Sequence, residues 1–430
     1  MTQLAASAGS ADPGTAGPGP AGLGWFRGAG LGLFVHWGHS SQQGLELSWP
    51  MAGGTAALPF SHAVPVADYQ ASAATFSPEP GAAREWARLA RGAGMTYAVL
   101  TTRHHDGYSK WPSEVSDFCS ARDQVGEIVE ACRAEGLRVG LYYSLSDWHH
   151  PDYPALTDDD RPYAFQPRRP GPEAWARYLE YLFAQVRELL TRWGRIDLLW
   201  FDGGWERSAA EWRTRDLHDL IRSLQPDVVV NDRLPGFGDY ETPEQFVPPQ
   251  PPDGPWETCM TMNSTWGWCP DDTGYKSGRE LVHTLCEVAG RGGNLLLNVS
   301  PRGDGSLPPT QVERLEGMAR WMAAHRDAVA GTTPGLEPWQ FYGPSTRRGD
   351  RVYLHLLWRP YDTVTVRGIP VKRVRGVRVL GSGAALEWTS RCTVLDTLFN
   401  ADPVGEITIA VPAGELDDDA TIVEITVGTD

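Results

Sequence analysis

Apolar runs of strand length alternate with helical periods from about residue 25 to residue 330. Seven runs read as strands: Leu31–His36, Tyr97–Thr102, Arg138–Ser144, Ile196–Asp202, Val228–Asp232, Trp256–Met262 and Asn294–Val299. Their near-continuous apolar character is that of strands covered on both faces. Pro172 opens a helix in which Trp175, Leu179, Leu182, Val186 and Leu189 recur at helical spacing before Gly194 stops it. A second helix follows Pro309, with Val312, Leu315, Met318 and Met322 on one face. Alternating β and α units make a parallel sheet, and seven strands over about 300 residues predict an irregular (β/α)8-like TIM barrel. No clean eighth strand is visible.

Beyond about residue 336 the texture changes to short β-branched runs, such as Arg351–Trp358, Thr363–Arg367, Glu406–Val411 and Thr421–Val427, separated by Gly, Pro and Asp. That is the pattern of an antiparallel β-sandwich. The predicted organisation is a disordered Ala/Gly/Pro/Ser tail over 1–22, a catalytic (β/α) barrel over 23–335 and a β-sandwich over 336–430.

The strand ends carry the chemistry. The first ends in His36-Trp37-Gly38, and the second runs into Arg103-His104-His105-Asp106. The third ends in Tyr142-Tyr143-Ser144, the fourth in Asp202, the fifth in Asn231-Asp232-Arg233, and the seventh carries Asn298. Polar side chains are costly to place without partners, so six strands delivering them to one rim indicate a built pocket. In barrels of this kind the C-terminal strand ends hold the active site. Asp202, at the end of Ile196-Asp-Leu-Leu-Trp-Phe-Asp202-Gly-Gly, is the most telling of these residues.

Composition narrows the ligand. A net charge of −16 over 430 residues argues against nucleic acid or an anionic membrane as partner. No window approaches the roughly 18 apolar residues of a membrane span. The N-terminus lacks a basic segment followed by an apolar core, and the six cysteines show no CxxC, so the expectation is a cytoplasmic protein with reduced thiols. Homo-oligomer formation is compatible with the sequence. Eighteen tryptophans offer flat faces of the sort that stack on sugar rings. A rim of His, Tyr, Asn, Trp and carboxylates suits a neutral polyhydroxylated ligand, because a phosphate calls for a Gly-rich nest or clustered cations.

A metal is the rival. His36, His104, His105, His149, His150 and Asp202 are of ligating type, but no HxH or HExxH links them. Adjacent histidines on an extended stretch point opposite ways. The reading is therefore free of metal and cofactor. Glycoside cleavage needs two carboxyl groups. Asp202 is the candidate nucleophile, while Asp239, Glu241, Glu244 and Glu257 all remain open as the proton donor.

Together the segments Leu33-Phe-Val-His-Trp-Gly38, Leu100-Thr-Thr-Arg-His-His-Asp-Gly-Tyr108, Gly140-Leu-Tyr-Tyr-Ser144, Leu199-Trp-Phe-Asp-Gly203, Trp256-Glu-Thr-Cys-Met-Thr-Met262 and Gly292-Gly-Asn-Leu-Leu-Leu-Asn-Val299 resemble the family 29 α-L-fucosidases. The resemblance spans the whole expected barrel. It implies a retaining exo-α-L-fucosidase that hydrolyses terminal α-L-fucose from oligosaccharides or glycoconjugates without a metal. By that resemblance Asp202 is the nucleophile, Glu244 the acid/base, and Arg233 an arginine near the acid. It further implies that His36, Trp49, His104, His105 and Tyr143 contact sugar, with Glu46 and Trp205 completing the binding set. Trp49 or Trp205 would face the C5 methyl. The loops Asp239–Glu244 and Trp256–Cys259 resemble the subgroup favouring α1,3/α1,4-linked fucose. The alternatives are a catalytically silent carbohydrate-binding protein on the same scaffold and a metal-dependent TIM-barrel hydrolase.

Overall fold

The computed structural model describes residues 20–54, 60–161, 163 and 168–428. The expected tail therefore lies outside the described residues as far as residue 19. Its last three positions already belong to the fold, since the Leu23 amide bonds the Pro20 carbonyl and opens a short helix, Leu23–Phe26.

Seven strands form one parallel sheet: β1 (Leu31–Val35), β2 (Tyr97–Arg103), β3 (Arg138–Ser144), β4 (Leu198–Asp202), β5 (Val229–Val230), β6 (Glu257–Thr261) and β7 (Asn294–Val299). Their order is β5-β4-β3-β2-β1-β7-β6, which curls the sheet around a central interior. Side chains alternate along each strand. Leu33, Val35, Leu100, Leu141, Tyr143, Leu199 and Phe201 pack outward in the large core that the helices cover. Phe34, Tyr97, Val99, Tyr142, Trp200 and Leu296 fill the interior. Phe26 adds to that inner cluster, its ring centroid 4.3 Å from Tyr240.

The interior is crowded enough to dictate glycine in places. Gly32 pairs with Tyr97 in register, and a Cβ there would lie 2.3 Å from the Tyr97 ring. A side chain at 32 would displace the ring that crosses the interior to Glu257.

No eighth regular strand is present among the described residues, but the two sheet edges are connected. The backbone over 239–245 bonds β5 on one side, through Asp239 N to Val230 O and Asp232 N to Tyr240 O. On the other side it bonds β6, through Cys259 N to Pro243 O and Gln245 N to Cys259 O. This segment is polar and contains Pro243, so hydropathy gives no strand signal there. Backbone hydrogen bonds thus tie it to both neighbouring strands.

Helices Ala82–Gly92, Gln124–Ala134, Pro172–Thr191, Thr214–Leu224, Gly278–Gly290 and Pro309–His325 connect the strands. Pro172 and Pro309 stand in the first turn, as expected where an amide has no helical acceptor to lose. No helix of the described residues is long and apolar enough to cross a membrane. All six cysteines are free thiols.

The C-terminal region consists of antiparallel sheets. Strands β8 (Thr333–Pro334), β9 (Ser345–Arg348), β10 (Arg351–Leu356), β11 (Thr363–Pro370), β12 (Val374–Val379), β13 (Trp388–Arg391), β14 (Val404–Ala410) and β15 (Thr421–Val427) sort into a five-stranded sheet, β12-β15-β10-β9-β8, and a three-stranded one, β11-β14-β13. One apolar core, including Leu354, Val366, Ile407, Ile409, Val423 and Ile425, is shared between them.

Candidate active site

Asp202 closes β4 and is 7 % exposed. Gly203 follows at φ +71, and a Cβ there would meet Ser146 Oγ at 2.4 Å, so the turn that presents the carboxylate needs glycine. Tyr142 OH donates to Oδ2 at 2.7 Å and Arg233 Nη1 donates to Oδ1 at 3.0 Å. Burial alone would raise the Asp202 pKa, but the Arg233 charge, His105 and the two hydrogen bonds outweigh it and hold the pKa below the ordinary carboxyl value. Asp202 is therefore ionised at neutral pH.

Arg233 links both carboxylates. Its Nη2 donates to Glu244 Oε2 at 2.6 Å, while Nε bonds Thr242 Oγ1 at 3.3 Å. Its face lies 4.6 Å above the Trp200 ring. The planar fork is thus used on every side, which a lysine could not reproduce. Glu244 is partly exposed and lies in the segment between the sheet edges.

The other acidic candidates are placed elsewhere. Asp239 is bound by Arg222 at 2.6 Å and caps the Val230 amide. Glu241 is exposed. Glu257 is fully buried in the interior, accepting from Tyr97 OH, from Trp200 Nε1 at 3.1 Å and from Tyr240 OH at 3.5 Å. Burial raises its pKa to about 7, although the three donors oppose the shift. A raised carboxyl pKa stabilises the fold while the group is protonated, and that stability is lost as pH rises from 4.5 toward 7. Glu257→Gln is expected to gain about 3 kcal/mol relative to the parent across this window, with the difference level above it. Denaturant melts at pH 5 and pH 8 test this, and a pH-independent difference would rule it out.

The histidines are fixed by their neighbours. Asn298 Nδ2 donates to Trp266 O, so its Oδ1 accepts from His36 Nδ1 at 2.7 Å. Ser144 gives its hydroxyl proton to Ser146 O and so accepts from His105 Nδ1 at 2.6 Å. Both rings then carry an unprotonated Nε2, and that of His105 lies 3.7 Å from Asp202 Oδ2. Burial drives the His36 pKa to about 3 and the His105 pKa to about 4, and it lowers that of His104 as well. All three are neutral at physiological pH. Unprotonated ring nitrogens are acceptors for hydroxyl groups.

Two sequence expectations place side chains differently from the structure. Tyr143 points away from Asp202: its hydroxyl bonds Gln185 at 3.0 Å and its ring stacks under Arg103 at 4.2 Å. Tyr142 is the inward residue, because β3 pairs with β4 so that Tyr142 stands opposite Trp200, two residues before Asp202. Glu46 is wholly buried, and both its oxygens accept backbone amides, from Trp266 and Gly267 at 2.7 Å each. It holds the Trp266 loop against His36, ring centroids 5.0 Å apart, and presents no free oxygen to the cleft. Trp49 and Trp205 do flank His105, at 5.5 and 5.8 Å between centroids, and Trp205 is 48 % exposed. Trp200 and Trp266 are site residues that the strand-end pattern does not single out, and that pattern names Tyr142 without separating it from Tyr143. The signal for Tyr142 was present as period-two parity, but it becomes usable only once the register is known.

His104 and His105 do not diverge as adjacent strand residues would. β2 ends at Arg103, and the turn that follows brings their rings to 4.2 Å. With Asp202 they offer three donor atoms within 4.8 Å of one another. These residue types suit a divalent ion. The Asp202 oxygens, however, already accept from Tyr142 and from the cationic Arg233, which opposes a second positive charge at that carboxylate.

Two carboxylates sharing one guanidinium at the C-terminal rim of a curled parallel sheet, with neutral acceptors and aromatic faces around them, are the apparatus of a glycoside hydrolase. Comparison with known proteins agrees. The alpha-L-fucosidase family profile matches residues 21–327. Human tissue alpha-L-fucosidase is 31% identical over 402 residues, covering 85% of this chain and 82% of its own. Among solved structures, alpha-L-fucosidase isoenzyme 1 from Paenibacillus thiaminolyticus superimposes with a TM-score of 0.82 at 33% identity, covering 95% of this chain and 99% of its own. A family 29 enzyme from Bacteroides thetaiotaomicron, solved as a trapped covalent intermediate with 2-fluoro-fucosyl fluoride, gives a TM-score of 0.79 at 25% identity, covering 95% and 96%. The chain belongs to the α-L-fucosidase family, glycoside hydrolase family 29.

Proposed function

We propose that the protein is a retaining exo-α-L-fucosidase acting by double displacement on terminal fucose, α1,3- or α1,4-linked, on an irregular (β/α)8-like barrel. The observation that carries the mechanism is the Arg233 bridge between ionised Asp202 and Glu244. Asp202 attacks the anomeric carbon while Glu244 protonates the departing oxygen, giving a covalent fucosyl-enzyme. Glu244, now a base, activates the water that releases fucose. Arg233 has to leave Glu244, or share it, as the acid takes up its proton. The partial exposure of Glu244 fits that exchange. The bare Nε2 atoms of His36 and His105 accept ring hydroxyls, bonds that can tighten as charge develops on the sugar.

The capture reported for the Bacteroides relative sets the test. Incubation with 2-fluoro-fucosyl fluoride followed by peptide mass spectrometry is expected to find the label on Asp202, in chelator-treated protein as in untreated. A label elsewhere, or retained turnover after labelling, would overturn the assignment. The linkage preference rests on the resemblance of loops 239–244 and 256–259. It is tested by release of fucose from Lewis-type trisaccharides against an α1,2-linked one, where equal rates would refute it.

Glu244→Ala separates the acid role from simple binding. Loss of general-acid assistance costs about 10²–10⁴-fold when the leaving group is a sugar alcohol. Aryl fucosides with an acidic phenol need little protonation, so their first step is expected to slow far less. Equal losses on both substrates would exclude Glu244 as the acid.

A further inference from the structure

The N-terminal ends of β1 to β4 surround a second cleft, of about 830 Å³, on the opposite rim from Asp202. It is lined by Arg91, Arg133, Arg138, Arg195, Arg326 and Arg348 against two carboxylates, Asp197 and Asp327. Asp197 is paired with Arg138 and Arg195, and Asp327 with Arg348. Arg133 Nη2 donates to the Arg195 carbonyl and keeps its charge and its other donors. Arg91 and Arg326 enter no ion pair or side-chain hydrogen bond among the described residues. The net charge of the lining is +4, in a chain whose total is −16.

Helix ends account for part of this concentration. Arg91 and Arg133 lie in the last turns of their helices and Arg326 caps another. Cations are favoured there, but each helix C-terminus supplies only about −0.5 of charge. Three such ends leave about +2.5 uncompensated inside one concavity. Clustered guanidinium groups facing the same space repel one another, and nothing in the fold requires two of them to go unpaired. The Arg138 guanidinium also covers the Trp25 ring at 4.9 Å, which holds one wall in place.

We propose that this cleft binds an anionic ligand carrying two or more clustered oxyanion groups, phosphate or sulfate esters, held chiefly by Arg91 and Arg326. Guanidinium forks match such oxygens bidentately. The site is separate from the hydrolytic rim, so binding does not depend on the fucosidase reading.

Isothermal titration with inorganic tripolyphosphate, and separately with sucrose octasulfate, tests the proposal in the full-length protein at low salt. Saturable binding of at least one probe is expected, weakening steeply as salt rises. Stronger binding of tripolyphosphate assigns a phosphorylated ligand, and stronger binding of sucrose octasulfate a sulfated glycan. Arg91→Gln/Arg326→Gln is expected to weaken binding about 10-fold or more. Arg84→Gln/Arg320→Gln removes the same charge from exposed positions outside the cleft and is expected to leave it intact. Hydrolysis of an aryl fucoside by both variants is expected to match the parent, so lost affinity reads as lost contacts. Absence of saturable binding by both probes, or equal weakening in the control variant, would overturn the site.

Discussion

Asp202→Asn is expected to lower kcat on p-nitrophenyl α-L-fucoside by on the order of 10⁴-fold or more, the scale of losing a nucleophile that acts as one unit with its partners. The substitution is nearly isosteric. Its Oδ can still accept from Arg233 or from Tyr142, so fold and sugar binding are expected to persist while the attacking charge is gone. Fucose affinity measured by titration separates the two effects. A variant that binds fucose with parent-like affinity but forms no 2-fluoro-fucosyl adduct has lost chemistry alone. Turnover within tenfold of the parent would place the nucleophile elsewhere.

Arg233→Met is the second large effect, and it acts on two observables at once. Removing the guanidinium leaves two carboxylates facing each other, one of them 7 % exposed. Breaking such a pair from one side costs about 3 kcal/mol of stability at pH 7. The effect on chemistry is read from the acid side of the kcat/KM profile. Asp202 titrates below its ordinary 3.8 because the Arg233 charge and its neighbours outweigh burial. In the parent, the acid limb is therefore expected below pH 3.8. In the variant, burial dominates and the limb moves up, so activity at pH 5 falls more than activity at pH 7. A lowered kcat/KM with an unmoved limb would mean that Arg233 positions groups without setting the Asp202 charge. Arg233→Lys is expected to recover only part of the loss, since a point charge cannot serve Asp202, Glu244 and Thr242 together.

The histidines impose no limb near pH 6.5 in the parent, because burial keeps His36 and His105 neutral down to about 3 and 4. This is the reverse of the usual expectation for a histidine-rich site. It follows from dry surroundings and from Asn298 and Ser144 each fixing one ring nitrogen.

The chain announces its parallel strands directly. A strand covered on both faces must be apolar throughout, so β3 and β7 match their predicted limits and β4 ends at Asp202 as read. The acidic group that ends such a run is legible for the same reason, as a polar residue standing where burial stops. The short C-terminal strands β8, β9 and β13 were not legible, because their burial patterns give little alternation.

Tertiary structure decided what depends on partners distant in sequence. Choosing Tyr142 over Tyr143 required the register between β3 and β4, since neighbours on a strand face opposite ways and composition treats them alike. Chemistry alone left four acids open and the family resemblance marked Glu244; that Arg233 ties Glu244, and none of the other three, to Asp202 is visible only in the fold, and the 239–245 segment joins the sheet edges through backbone bonds that leave no trace in hydropathy. His104 and His105 converge because the strand stops one residue before them. The arginines of the second cleft span residues 91 to 348 and meet only where strands and helices return to one rim. Periodicity reports how each residue meets its local surroundings, whereas a site is defined by distances between residues that the chain brings together only on folding.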